Sequence, residues 1–384
     1  MTSVGIHDLS IATAHHVVDL TELAEASGVP PQKYLTGLGQ EAMSFPAPDE
    51  DIVTMGAAAA LPILQRHGSE RVRTLLFATE SGIDQSKSAG VFVHRLLGLP
   101  STVRTVELKQ ACYSATAALQ LAAGIVARDP GEQVLVIASD IARYQLDTPG
   151  EPTQGAAAAA MLIGADPALL ALEPVTGIHT ADVDDFWRPN DSTTAMVDGA
   201  LSLRAYLASL LGAWDDFHER GGAGFHTIGR FVYHQPFTKM AQKAHARLSQ
   251  RTSHATSPNA LKGSLDYNRR LGNSYTASLY VGLAGALDSS DDLAGRRVGL
   301  FSYGSGSVGE FFTGIVQPDY AQHRRRDATL AALTARVPLG IDGYRALHAA
   351  HTGSSQDHQT PRVTTAPFRF SGVQGRARQY EANE

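Results

Sequence analysis

One order of elements occurs twice along this chain. Val72-Arg-Thr-Leu-Leu-Phe-Ala reads as a strand ending at Thr79-Glu80-Ser81-Gly82, and a helix is expected around Ser88–Leu97. A β-branched strand over Val103–Leu108 then leads to a small-residue helix beginning at Cys112, and Val134–Asp140 with Ala156–Ile163 reads as a hairpin of buried strands. The second pass begins with the short strand Phe231-Val-Tyr-His234 and the amphipathic helix Phe237–Leu248. Asn273-Ser-Tyr-Thr-Ala-Ser-Leu-Tyr-Val-Gly-Leu-Ala is its small-residue helix, and Val298–Tyr303 with Val308–Val316 its closing hairpin. Strands alternating with helices in this way predict an α/β fold of stacked layers. Aligned pass on pass, Glu80 and His234 fall at equivalent strand ends, while Cys112 and Asn273 fall at equivalent helix starts. The spacings are similar, 32 residues from Glu80 to Cys112 and 39 from His234 to Asn273. A true duplication would relate the halves by a pseudo-two-fold axis and gather a thiol, a carboxylate, an imidazole and an amide in one cleft. Identity between the halves is weak, so shared α/β grammar is the competing explanation.

With 384 residues and 43% hydrophobic content, the chain can bury a core large enough for two domains or one duplicated domain. The expected organisation is an N-terminal half over 1–165, a C-terminal half over 166–350 and a polar, loosely ordered tail over 351–384. The tail assignment rests on Gly353-Ser-Ser-Gln-Asp-His-Gln-Thr-Pro361. A net charge of −6 with interspersed signs gives no footprint for nucleic acid. Apolar stretches are Ala-rich and broken by Gly or Asp before they reach a bilayer's width. One cysteine excludes internal disulfides, and Met1–Asp8 lacks a basic, apolar leader, so a cytoplasmic setting is expected.

The single cysteine is the first chemical candidate. A thiol at a strand-to-helix junction feels the positive helix end and unpaired N–H groups, which predicts a thiolate at Cys112, although a lone cysteine is more often an inert buried residue. Lysine supplies only six of the 32 basic residues. Two of them, Lys239 and Lys243, share a helical face just after His234, where they form either a solvated stripe or a phosphate contact. Taken singly, Glu80 reads as a loop carboxylate, His234 as a helix-capping group and Ser305 as a residue of a Gly-Ser-Gly turn. The histidines lack metal-ligand spacing with Cys, Asp or Glu, so no metal is expected.

Seven segments in unbroken order resemble one family. They are Glu107-Leu-Lys-Gln-Ala-Cys112-Tyr, Ala138-Ser-Asp-Ile-Ala-Arg-Tyr144, Gly150-Glu-Pro-Thr-Gln-Gly155 and Asp185-Phe-Trp-Arg-Pro189. Tyr233-His-Gln-Pro-Phe-Thr-Lys-Met240, Gly272-Asn-Ser-Tyr-Thr-Ala-Ser-Leu279 and Ser302-Tyr-Gly-Ser-Gly-Ser307 complete the set. From about residue 4 to 320 they resemble the bacterial, mevalonate-pathway branch of the 3-hydroxy-3-methylglutaryl-CoA synthases. The resemblance implies a thiolase-like duplicated fold, layered αβαβα with two pseudo-symmetric halves. It implies Cys112 as the acylated nucleophile, Glu80 as general acid/base and His234 as a second acid/base group that also touches substrate. Thr153, Ser202, Asn273 and Ser305 would contact substrate, and Lys239 and Lys243 would hold coenzyme A. The implied substrates are acetyl-CoA and acetoacetyl-CoA, with no cofactor beyond these thioesters, in a homodimer.

Two related activities remain as alternatives. An initiating ketoacyl-carrier-protein synthase also combines Cys, His and Asn, but its decarboxylative condensation has no need of a base at Glu80. A carrier-protein-dependent synthase that installs β-branches in polyketides is the other, and the paired lysines favour free coenzyme A. A biosynthetic thiolase needs a second catalytic cysteine, which this chain lacks.

Overall fold

The computed structural model describes residues 3–289, 292–350 and 355–383. Nine strands form one sheet. In chain order they are β1 (Val4–Thr13), β2 (Val72–Ala78), β3 (Arg104–Leu108), β4 (Gln133–Ala142), β5 (Gly155–Ala165), β6 (Leu170–Thr180), β7 (Arg230–Tyr233), β8 (Arg297–Gly304) and β9 (Val308–Val316). Their spatial order is β7-β8-β9-β6-β1-β5-β4-β2-β3. Each half therefore repeats one pattern outward from the centre, an antiparallel meander followed by parallel strands. The halves meet at β1 and β6 through only two residue pairs, Gly5 with Ala171 and Ile6 with Leu170.

Helices cover both faces of each half. They are α1 (Ile52–His67), α2 (Ala89–Leu96), α3 (Ser114–Arg128), α4 (Gly199–Glu219), α5 (Thr238–Thr252) and α6 (Ser278–Asp288). The central core contains Ala115, Ala118 and Leu119 of α3 and Leu279, Val281 and Leu283 of α6, packed with inward residues of both half-sheets. The outer cores differ: α1 and α2 cover the first half, α4 and α5 the second. That is the layered αβαβα arrangement. β5 shows why the sequence allows it. The run Ala156 to Ala160 is fully buried, with Ala157 and Ala159 in the central core and Ala156, Ala158 and Ala160 in the outer one. Side chains alternate across a strand, so a run of alanines lets layers approach closely on both faces.

The tail needs correction. Its first residues, 351–354, lie outside the described set, but beyond them it is ordered. His358–Gln359, Phe368–Gln374 and Ala377–Ala382 form a three-stranded sheet. Phe368, Phe370, Val373 and Tyr380 bury against the outer core of the first half. Charged groups complete the join. Buried Asp49 accepts from the N–H groups of Val363 (2.8 Å) and Thr364 (3.0 Å), and Asp51 from the Tyr380 hydroxyl (2.5 Å) and Arg378 (2.7 Å). Polar composition concealed a period-two apolar pattern and carboxylates ready to pair with its arginines. The end of the 166–350 stretch also returns to the first half, where Tyr344 packs among Val18, Leu20 and Leu23. Among the described residues no helix is long and apolar enough to cross a membrane.

Candidate active site

The site is organised around a buried carboxylate near the end of β4. One oxygen of Asp140 accepts from the Thr79 hydroxyl (2.7 Å) and the backbone N–H groups of Glu80 and Ser81 (2.9 Å each). Its other oxygen accepts from the backbone N–H (3.1 Å) and the hydroxyl of Thr276, in the second half. The turn after β2 and the segment leading into α6 are thus held by one side chain. Asp140 was not among the sequence candidates; the signal was a carboxylate in an otherwise apolar strand, inside a segment already singled out.

Cys112 lies two residues before α3, and the neighbouring Ala111 has a left-handed φ of 44°. Its sulfur donates to Glu80 Oε1 at 2.9 Å. Burial and the Glu80 carboxylate push the thiol well above its usual range, with Asp140 adding to the effect. Burial, then Asp140, pushes Glu80 up to about 8, while the Cys112 hydrogen bond and the Arg188 charge pull it back. The expected thiolate is therefore corrected to a thiol at rest. The helix end cannot offset a carboxylate within hydrogen-bond reach. The two acids raise one another and titrate as a coupled pair, in which the ionised form of Glu80 is the base within reach of the thiol. Arg188, from the Asp185–Pro189 segment, donates to the Glu80 carbonyl.

His234 follows β7, where its N–H donates to the Phe301 carbonyl (2.8 Å) and its carbonyl accepts from the Tyr206 hydroxyl (2.8 Å). The Tyr206 ring stacks on the imidazole. Burial drives the His234 pKa down to about 3, so the ring is neutral near pH 7 and suited to hydrogen bonding rather than to carrying charge. Asn273 is buried before α6. Its backbone N–H donates to the Thr153 carbonyl (3.0 Å), its Nδ2 reaches the Tyr144 hydroxyl (3.5 Å), and its Oδ1 accepts from the Tyr275 N–H (2.9 Å). This crossing of the halves is possible because glycines stand back to back. A Cβ on Gly155 would lie 2.3 Å from the Leu271 carbonyl oxygen, and one on Gly272 1.9 Å from that of Gln154. Tyr144, Tyr275 and Phe186 form an aromatic wall against which Cys112 packs.

Ser305 sits in the turn between β8 and β9, where its carbonyl accepts from Gln110 Nε2 at 3.2 Å. The backbone N–H groups of Cys112 and of the Gly304–Gly306 turn are the groups that could hold a developing oxyanion. That of Gly306 is taken by Asp185 at 2.9 Å and Gly304 pairs with Val308 in the β8–β9 ladder, which leaves Cys112 and Ser305. The Thr153 hydroxyl donates to the Gly150 carbonyl (2.7 Å). Ser202 is half-buried on α4, one turn before Tyr206 and on the same face. Lys239 and Lys243 are one turn apart at the start of α5. The Lys239 ammonium donates to the Thr36 carbonyl (3.0 Å), while the exposed Lys243 lies 5.2 Å above the Phe237 ring. Glu80, Cys112, Asn273 and Thr153 are thus joined by direct or single-residue contacts, and Ser305 is tied to the Cys112 loop. The described residues contain no group of three or more His, Cys, Asp or Glu that could hold a metal.

Models of the hydroxymethylglutaryl-coenzyme A synthase N-terminal and C-terminal regions match residues 1–168 and residues 170–266 with 250–339. The chain belongs to the hydroxymethylglutaryl-CoA synthase family. It is 44% identical over 352 residues to the hydroxymethylglutaryl-CoA synthase of Enterococcus faecalis, covering 90% of this chain and 92% of the relative. It is 32% identical over 372 residues to a polyketide biosynthesis 3-hydroxy-3-methylglutaryl-ACP synthase of Bacillus subtilis, covering 90% and 88%. Among solved structures, a hydroxymethylglutaryl-CoA synthase complexed with CoA superposes with a TM-score of 0.95 at 36% identity, over 99% of this chain and 100% of that one.

Proposed function

We propose that this member of the family condenses acetyl-CoA with acetoacetyl-CoA and water to 3-hydroxy-3-methylglutaryl-CoA and CoA, in the mevalonate route to isoprenoids. The observation that carries the residue assignment is the 2.9 Å contact of Cys112 with Glu80. As Cys112 attacks the acetyl thioester, Glu80 in its ionised form receives the thiol proton and returns it to the departing CoA sulfur. Acylation removes the hydrogen bond from Glu80 and leaves a carboxylate of raised basicity beside the acetyl methyl group. Glu80 then takes a methyl proton while the amides of Cys112 and Ser305 hold the enolate oxygen. The enolate carbon attacks the C3 ketone of acetoacetyl-CoA, forming the new C–C bond, and the resulting alkoxide takes the proton held by Glu80. His234, neutral at working pH, polarises that ketone by hydrogen bonding, a more limited role than second acid/base. Water finally cleaves the Cys112 thioester. Thr153, Ser202 and Asn273 line the acyl end, with Lys239 and Lys243 toward the nucleotide end of coenzyme A.

No cofactor beyond the thioesters enters these steps. A single cysteine that must stay reduced fits a cytoplasmic setting. We assign the functional form as a homodimer, supported by the unpaired outer edge of β3, where Val106 is 43% exposed, and by exposed Val91 and Leu121 on α2 and α3. A free sheet edge beside exposed apolar side chains invites a second copy of the chain. The base at Glu80 argues against a decarboxylating ketoacyl synthase, and the greater identity to the Enterococcus relative favours free CoA over a carrier protein. The test is release of free thiol from acetyl-CoA with and without acetoacetyl-CoA, beside the same assay with an acetylated carrier protein. Turnover confined to the carrier-bound acetyl group would refute the CoA reading.

A further inference from the structure

Glu310 lies on β9, is 1% exposed and takes no part in the steps above. Its Oε2 accepts from the Tyr113 hydroxyl at 2.7 Å and its Oε1 from Gln120 Nε2 at 2.8 Å, and the Thr176 hydroxyl is a third partner. These donors are neutral, and burial pushes the carboxyl up to about 7. A carboxylate in such a place is costly, and an apolar side chain of similar volume would be cheaper. What the carboxylate offers is two separate acceptor atoms. Tyr113 is the residue after the nucleophile and stands at the N-terminal boundary of α3; Gln120 lies two turns further along the same face. Gripping both fixes the axial position and the rotation of the nucleophile helix relative to β9.

The same hairpin carries Ser305, three residues before the start of β9 and five before Glu310, and joined to the Cys112 loop by the Gln110 contact. The loop and turn are in close contact, since a Cβ on Gly304 would fall 2.5 Å from the Gln110 carbonyl oxygen and 2.7 Å from Tyr113. Two links between the halves, both from the β8–β9 hairpin, therefore set one quantity, the separation between the Cys112 and Ser305 amides. Oxyanion donors act only when they converge within about 3 Å of one oxygen.

We propose that Glu310 is a positioning residue, holding the Cys112 loop against the Ser305 turn so that both amides converge on the thioester oxygen. This rests on Cys112 being the acylated nucleophile. Glu310→Gln, Glu310→Leu and Tyr113→Phe should each lower kcat for overall turnover and the rate of acetyl-Cys112 formation by about 10–10², since loss of one oxyanion donor costs about 10²–10³. KM for both thioesters should stay within about threefold. Glu310→Gln keeps an acceptor for Tyr113 but turns a donor toward Gln120, so combining it with Gln120→Glu should restore kcat to within about threefold of wild type. A purely structural role would lower thermal stability without this split or recovery. Should Glu310→Leu fail to fold, the glutamine and phenylalanine variants carry the test. Wild-type protein that forms no acetyl-Cys112 would refute the underlying reading instead. If wild type acetylates while the variants match its kcat, or if kcat and KM worsen together and the swap restores nothing, the positioning role is overturned.

Discussion

Glu80→Gln should make the protein more stable in alkaline solution while disabling it. The Glu80 carboxyl stands at about 8 against an ordinary 4.5. A carboxyl whose folded-state value is raised contributes stability that is fully present below pH 4.5 and is lost as pH rises through 8. Each unit is about 1.4 kcal/mol, so the ceiling over that window is about 5 kcal/mol. Glu80 shares its proton with the Cys112 thiol and touches solvent at one edge, so we expect about half, 2–3 kcal/mol. Glutamine has nearly the same shape, still accepts from the thiol and never ionises. Unfolding entropy is about 2.1 cal/mol/K per residue, or about 0.8 kcal/mol/K for a chain of this length, so the gain corresponds to about 3 °C in Tm. Scanning calorimetry of wild type and Glu80→Gln should give nearly equal Tm values at pH 5 and an advantage of about 3 °C for the variant at pH 8.5. Other titrating groups, including Glu310, are common to both proteins and cancel in the difference. Parallel curves across this range would show that the carboxyl is not raised, and the shared-proton account of the nucleophile would fall with it.

Labelled acetyl-CoA should leave acid-stable label on the Cys112 peptide of wild type and none on Cys112→Ala; equal labelling of both would remove Cys112 from the mechanism. Glu80→Ala should retain acetylation better than condensation, losing product by about 10²–10⁴-fold together with solvent exchange of the acetyl methyl protons. His234→Ala should acetylate normally but use acetoacetyl-CoA poorly, and failure to acetylate would contradict a role confined to the acceptor ketone. Neutralising Lys239 and Lys243 together should raise KM for acetoacetyl-CoA more than for an acyl-pantetheine lacking the nucleotide, whereas equal effects would mean a structural role. Phe370→Ala, in the tail sheet, should lower Tm by about 4–6 °C, from about 3–5 kcal/mol for a buried aromatic, with KM unchanged. A Tm within 1 °C of wild type would mean that the tail contributes little to stability.

The layered architecture was legible because two local signals recur in step: short apolar strands ending in polar residues, and helices made of small ones. Glu80, Cys112, His234 and Asn273 could be singled out at those ends before any contact was known. What depends on the third dimension was hidden. Nothing local marks Asp140 as the acceptor for both halves, because Thr79 and Thr276 are almost 200 residues apart. The protonation of Cys112 is hidden from the sequence, because the helix start is visible there whereas a carboxylate reached across 32 residues is not. The depressed pKa of His234 likewise comes from burial beneath Tyr206 and its neighbours. The tail misled for the opposite reason. Its polar residues suggested solvation, but Arg369 and Arg378 find Asp49 and Asp51 more than 300 residues away.

The hydrogen bond between Cys112 and Glu80 also bears on how the protein survives between turnovers. Peroxides and alkylating agents attack thiolates, and their damage to an exposed, ionised cysteine accumulates whether or not substrate is present. A sulfur that keeps its proton until a thioester arrives is inert toward most of that chemistry. The chain has no second cysteine to rescue an oxidised first one through a disulfide. Durability of the nucleophile therefore rests on the same carboxylate that later sets it to work.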